Sequence, residues 1–464
     1  MNALFLPQPP SPPHLLPTTL PIIGTIARIG PNGSGEGFLD ADGMLTTLTF
    51  LGNGSTIFYR DYVDTLGRKN EAMFNKKYEG TLKASRYGGY SMLISLFKNF
   101  IKFKNYPQKD TCNTSLGKIG NTWYAKMEQS LPSSLSFLKS GTFKTVESFT
   151  RINNTLLNSN PISGGALSAH SRYDPETDET FSITYGSEPP FLRLDVYSSD
   201  KHTSYPINIP TPVMVHDLTI SSQFVIILDF PLTLRPRRLI TNEFPVAYEP
   251  SNGARIGLFN RKKKDVEWFE VESCVVLHLC GCFETKEGIE ITGLRSEPSS
   301  ESSYILNYTP AYLHKWSIDL KSKNFIEKRL NSQQLEFPVT KGENCYCLKT
   351  HSIQGPLLEH VSPKDGILLN GIAKYNLKSG KLLKEYTLPK NSWAVSEVSL
   401  FHSYVGIFVS EVEISSDYKK LEDNMKSFFY VFDEELEVVE VIDLKDKKVN
   451  YGLHSAFIEE EDLV

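Results

Sequence analysis

Four histidines sit in apolar segments that look ready to be buried: His170 in "GGALSAHSRYD", His216 in "TPVMVHDLTI", His278 in "ESCVVLHLCGCFE" and His454 in "YGLHSAFI". One such ring decides little, because buried polar groups are nearly always satisfied by neighbours and a lone core histidine is ordinary. Four in the same setting need a common cause. Neutral imidazole suits first-row metals, and four nitrogen donors without a carboxylate hold a divalent ion without cancelling its charge. Iron(II) is the natural occupant where O2 must reach an open position.

Such chemistry needs an architecture that brings four distant segments to one point. Along the chain a short strand, a polar turn rich in Asp, Lys, Ser and Gly, and a second strand recur, as in "RYDPETDETFSITYG" (172–186), "WSIDLKSKNFIEKRL" (316–330) and "YNLKSGKLLKEYTL" (375–388). Alternating apolar and polar residues about a turn are the hairpin signal. Continuous β-branched and aromatic runs between them, such as "SQFVIILDFPL" (222–232), read as buried inner strands. The expectation is an all-β chain. Hairpins repeating at roughly 45 to 60 residues without alternating helices favour a β-propeller over a pair of β-sandwiches, because radial repetition hides sheet edges and leaves a central axis. The histidines are 46, 62 and 176 residues apart, about one, one and three blades, so four blades could each present one imidazole to that axis.

Composition narrows the partners. With 49 basic and 54 acidic residues and a formal charge of −5, the chain shows no sign of a nucleic-acid partner. The proline-rich stretch 1–20 reads as an N-terminal arm, and 21–464 as a single propeller domain with a helical cap inserted around 86–107. No run of about 18 apolar residues appears, so a cytoplasmic chain is expected. Six cysteines fit a reducing compartment and free thiols, and "HLCGC" lacks the second cluster that a zinc site of usual spacing requires.

Together these segments carry a resemblance to the carotenoid cleavage dioxygenase family, which includes the lignostilbene dioxygenases. It runs from "GTIARIGPNG" (24–33) and "DADGMLTTLTF" (40–50) through "SAHSRYDPETDETF", "VMVHDLTISSQFVIILDFPL" and "VVLHLCGCFE" to "YGLHSAFI", almost the whole chain. The resemblance implies a seven-bladed propeller with one Fe(2+) per chain held by His170, His216, His278 and His454. It further implies that Glu128 in "WYAKMEQSLP", Glu336 in "LEFPVT" and Glu397 in "WAVSEVSLF" accept hydrogen bonds from His216, His278 and His454, fixing the tautomer and aiming each ring. The reaction implied is O2-dependent scission of a conjugated C=C bond to aldehyde or ketone products, with no catalytic group beyond the iron site.

The sequence departs from the family in places. "HLCGCFE" replaces a run that many members write Asn-Ala-Tyr-Glu, and the loop between Asn32 and Gly37 is short. Stilbene-cleaving members resemble one another in a lysine immediately before the first of those glutamates. Met127 holds that place here, and Lys126, one residue earlier on a strand, points to the opposite face. This favours a carotenoid or apocarotenoid over a hydroxylated stilbene as the hydrophobic substrate, with the stilbene reading as the alternative. A non-catalytic binding propeller is the alternative of another class, and a calcium-dependent hydrolase would need carboxylates at the axis. In "YSMLISLFKNFIKFKN" (90–105), Leu93, Leu96, Phe97, Phe100 and Ile101 share an apolar helical face accompanied by Lys98, Lys102 and Lys104. That face either packs on the propeller or makes peripheral contact with a bilayer, from which a water-insoluble substrate could enter.

Overall fold

The computed structural model describes residues 7–33, 39–85, 87–103, 108–128, 130–148, 151–152, 155–156, 167–199, 201–298, 309–350, 368–412, 424–445 and 447–464. The loop between Asn32 and Gly37 and Lys104 lie outside them in whole or part.

Antiparallel four-stranded units follow one another along the chain. Blade 2 holds Ser115–Ile119, Thr122–Lys126, Ser133–Phe137 and Phe143–Ser148, and blade 3 holds Ser171–Asp174, Glu179–Tyr185, Leu192–Tyr197 and His202–Ile207. Blade 4 is built from Thr219–Ile220, Phe224–Asp229, Ala254–Asn260 and Val266–Val271, and blade 5 from Val275–Glu284, Gly288–Ser296, Ala311–Asp319 and Phe325–Arg329. Blade 6 begins at Leu335–Lys341 and ends at Leu382–Thr387; blade 7 begins at Ser399–Phe401 and ends at Val438–Asp443. The short strand Ser392–Ala394 joins these last two into one continuous sheet.

Blade 1 is made from both ends of the chain. Ser11–Pro17, Ser55–Tyr62, Gly43–Leu51 and Ile23–Pro31 lie side by side, and the C-terminal Ser455–Ile458 adds to Thr25–Arg28 as the innermost strand. The seven innermost strands then touch their neighbours in cyclic order, blade 1 against blade 2 and so on until blade 7 meets Ser455–Ile458 again. The fold is a seven-bladed β-propeller, closed by pairing the C-terminus with the N-terminal blade. Its cores are the spaces between blades: Ile226, Ile256, Ile291 and Trp316 fill the gap between blades 4 and 5, for example. Burial on both faces explains why strands such as Phe224–Asp229 read as continuous apolar runs.

Two boundaries differ from the sequence reading. The expected N-terminal arm 1–20 is in part a strand, Ser11–Pro17, paired with Ser55–Arg60 as the outermost strand of blade 1. Its prolines are tolerated there because an edge strand does not need every N–H. Beyond it, Thr18 and Thr19 donate to the Glu440 carboxylate of blade 7. The helical cap also starts earlier than 86: α1 (Leu66–Phe74), α2 (Thr81–Ser85) and α3 (Gly89–Phe103) all lie between blades 1 and 2. On α3 the usual arrangement is inverted. Ser95, Asn99 and Phe103 are buried, Asn99 pairing with the backbone of Glu79, while Leu93, Ile94, Phe97, Phe100 and Ile101 face outward and Leu96 is half-buried.

Candidate metal centre

The four histidines enter from blades 3, 4, 5 and 1. His170 and His454 stand immediately before the innermost strands Ser171–Asp174 and Ser455–Ile458, His216 three residues before Thr219–Ile220, and His278 within Val275–Glu284. His278 lies where the ladder of its strand shifts register between Val276 and Leu279 and again before Gly281, and such a bulge re-aims side chains. The rings converge. Centroids are 4.5 Å apart for His170 with His216 and for His170 with His454, 5.1 Å for His170 with His278, 5.3 Å for His216 with His278, and 5.4 Å for His278 with His454. Donor atoms of His170, His278 and His454 all lie within 4.8 Å of one another.

The three glutamates come from the remaining blades, 2, 6 and 7, so each blade supplies one residue to the cluster. Glu397 Oε2 is 2.8 Å from His454 Nδ1, and Glu336 Oε2 is 3.1 Å from His278 Nδ1. Glu128 Oε1 lies 2.7 Å from His216 Nδ1, although the ring is not aligned for a straight N–H···O bond; Tyr185 donates to the other oxygen at 3.2 Å. With Nδ1 turned to a carboxylate, Nε2 is the nitrogen left to face the axis. Among the described residues the buried Nε2 atoms of His170 and His278 have no hydrogen-bond partner, a costly state for polar atoms unless something coordinates them.

Electrostatics favour neutral rings at His170 and His454. Burial first, then the neighbouring imidazoles of His454, His216 and His278, hold His170 well below the usual histidine range. Burial also lowers His454, against the pull of Glu397. At His216 burial is outweighed by the close contact and charge of Glu128, and the ring is raised. Neutral imidazoles converging with unpaired Nε2 atoms are the donor set a divalent first-row ion takes, and the residues present fit iron(II).

Other features were not legible in the sequence. Phe337 packs against His278 and His454 with centroids 5.6 and 5.4 Å away, on a backbone with φ of +51° at the bulge that follows Glu336. Cys280 meets Cys345 and Cys347, 67 residues of chain away at the farthest, in the core between blades 5 and 6 among Leu294, Leu313 and Leu335. Burial raises the Cys280 thiol, and the three pack as small apolar residues. Cys282 stands outside this trio. Lys126 is buried, its Nζ 2.7 Å from Ser171 Oγ, and burial pushes its ammonium down to about 7; Met127 is half-buried.

A family model described as retinal pigment epithelial membrane protein matches residues 16–459. The carotenoid 9,10(9',10')-cleavage dioxygenase 1 of Phaseolus vulgaris is 25% identical over 95% of this chain and 84% of its own length. Among solved structures, the lignostilbene dioxygenase of Pseudomonas brassicacearum aligns with a TM-score of 0.77 at 17% identity, covering 99% of this chain and 98% of that one. A Synechocystis apocarotenoid oxygenase variant aligns with a TM-score of 0.75 at 19% identity, covering 98% of each. At those identities the structural matches speak for the fold. With the family model spanning nearly all of its length, this chain belongs to the retinal pigment epithelial membrane protein family, the carotenoid oxygenases.

Proposed function

We propose that this chain is an iron(II)-dependent dioxygenase that cleaves a conjugated C=C bond of a carotenoid or apocarotenoid with O2, giving aldehyde or ketone products. The observation that carries the reading is the convergence of four imidazoles from four blades, three of them buried and His216 half-buried, with three turned by carboxylates from the other three blades. Bound iron(II) would supply the redox chemistry that joins O2 to the alkene. The chain's own residues position and exclude. His170, His216, His278 and His454 would hold the ion, Glu128, Glu336 and Glu397 fix which ring nitrogen faces it, and Phe337 walls the space beside two of the rings.

For the substrate, Met127 takes the position where a lysine would grip a phenol, and Lys126 is engaged by Ser171. Both support a hydrocarbon-like polyene over a hydroxylated stilbene. Iron-loaded protein incubated with an apocarotenal and a hydroxystilbene under isotope-labelled O2 is expected to yield labelled carbonyl fragments from the apocarotenal. Cleavage of the stilbene alone would move the assignment to the stilbene branch, and cleavage of neither would leave a binding propeller.

The role given to Glu397 is open to a direct check. Its Oε1 accepts from Ser455 N at 2.6 Å and its Oε2 faces His454, so Glu397→Gln must set an amide NH2 against one of two donors. The fold should persist while iron retention or turnover falls about ten- to a hundredfold, the usual scale when a group supporting a ligand is lost. Wild-type turnover in this variant would remove Glu397 from the centre.

The outward apolar face of α3 supports peripheral membrane contact. Phe97 and Ile101 are each 63% exposed and Ile94 is 54% exposed, with Lys98 exposed beside them. Among the described residues no helix is long and apolar enough to cross a membrane, so the contact would be interfacial. Withdrawing two such side chains, worth about 1.5–3 kcal/mol each, should cut binding by about a hundredfold or more. The double variant Phe97→Asp with Ile101→Asp should no longer float with phosphatidylcholine vesicles, yet should cleave detergent-dispersed substrate normally. Unchanged flotation would assign the face to another contact.

A further inference from the structure

Next to three of the imidazoles in the chain, blades 3, 4 and 5 are tied by two side chains. Asp217, which follows His216, is almost wholly buried. Its Oδ1 accepts from Leu218 N at 2.7 Å, and its Oδ2 accepts from Leu279 N at 2.9 Å and from Arg172 Nη2 at 2.8 Å. Arg172 in turn donates from Nε to Leu218 O at 2.9 Å and from Nη2 to Leu279 O at 3.3 Å. Leu279 follows His278, and Arg172 lies two residues past His170. Each of three rings is therefore within two residues of a member of this pair or of a backbone group bonded to it.

We propose that Arg172 and Asp217 form a positioning pair that sets the spacing of His170, His216 and His278, and so the affinity and geometry of the metal centre. The proposal rests on the four-histidine reading. Its physical basis is that the pair joins three blades by charge-assisted hydrogen bonds, which are shorter and stronger than neutral ones. The cores between these blades are filled by apolar contacts, which are non-directional and do not fix a backbone to tenths of an ångström, and the other polar links between them, Arg261 with Asp174 and Glu179 and Glu284 with Gln223, do not involve the segments that carry the rings. The bulge around His278 adds to the need: where the regular ladder is interrupted, Leu279 uses both its N–H and its C=O on this pair. Removing the carboxylate takes the acceptor from the Leu218 and Leu279 N–H groups and the counter-charge from the guanidinium, which keeps only its carbonyl contacts.

The role acts through the ligands, so its test must separate placement from stability. Wild-type protein, Asp217→Asn, Arg172→Met and Arg172→Lys would be compared for iron(II) dissociation constant, for the visible absorption of the cobalt(II)-substituted protein, and for thermal unfolding of the metal-free form. Cobalt(II) absorption reports ligand number and geometry without turnover. The expected result is a ten- to hundredfold weaker iron affinity and an altered cobalt(II) spectrum in Asp217→Asn and Arg172→Met, with Arg172→Lys recovering part of both because it keeps the charge and one donor. Should Asp217→Asn fail to fold, the Arg172 variants decide, since that side chain is 36% exposed. Lower unfolding temperatures with wild-type iron affinity and cobalt(II) spectrum would reduce the pair to a fold element and overturn the proposal. A wild-type protein that binds neither metal would overturn the four-histidine reading, and this inference with it.

Discussion

Replacing His454 with leucine should leave a folded, β-rich protein that holds no iron and cleaves no alkene. The backbone around residue 454 closes the propeller without help from the ring. Ile29 N donates to His454 O and Leu453 N to Ile29 O, both at 2.9 Å, and Ser455–Ile458 pairs with Thr25–Arg28. Glu397 keeps Ser455 N as a partner when the imidazole is gone. A core histidine with no ligand role would behave differently: leucine there would be tolerated or stabilising, because it removes two polar atoms that need partners, and function would be untouched. Circular dichroism, thermal unfolding and metal analysis on one preparation separate the cases. Stoichiometric iron and retained cleavage in the variant would refute the four-histidine centre.

Gly30→Ala is expected to damage the same centre without touching a ligand. A Cβ at Gly30 would overlap the Cα of Gly452, with Leu453 N close behind, so backbone meets backbone and no side chain can swing aside. Gly452 is itself pressed against the buried guanidinium of Arg28, which donates to the carbonyls of Val395 and Asn450. The only relief is to move the segment that carries His454 away from the strand Ile23–Pro31. Overpacking of this kind costs about 1–3 kcal/mol, and here it should also lower iron affinity, because the displaced segment holds one of the four rings. The check is thermal unfolding with iron titration. An alanine variant matching wild type in both would mean that the close approach of the two glycines does not place His454.

Much of this arrangement could be read from the chain. The spacing of the histidines anticipated their blades, because each lies at or just before an innermost strand and the separation between such strands is the length of a blade. The glutamates were assigned to rings through family resemblance alone; in the structure each stands beside the ring so assigned. Nothing in local pattern gave their place, since Glu336 and Glu397 reach rings 58 and 57 residues away.

What escaped the sequence shares one physical character. Arg172 touches Leu279 across 107 residues and Arg28 reaches Asn450 across 422, contacts between blades or between chain ends that leave no periodic trace. The Cys280, Cys345 and Cys347 trio is likewise assembled across an inter-blade core. Ser11–Pro17 was hidden by its prolines, which argue against a central strand but are compatible with an edge. On α3 the apolar run correctly marked a helix; that its polar side is the buried one follows from the Asn99 contacts with Glu79, which hydrophobic periodicity cannot anticipate.

The central claim is that His170, His216, His278 and His454 together hold one iron(II). Iron-edge X-ray absorption on the purified full chain, with metal analysis of the same sample, tests it most directly. The account predicts about one iron per chain whose nearest neighbours include four imidazole nitrogens and no sulfur. Iron bound chiefly by sulfur or carboxylate oxygen, or a chain that takes up no iron when offered it, would contradict the account.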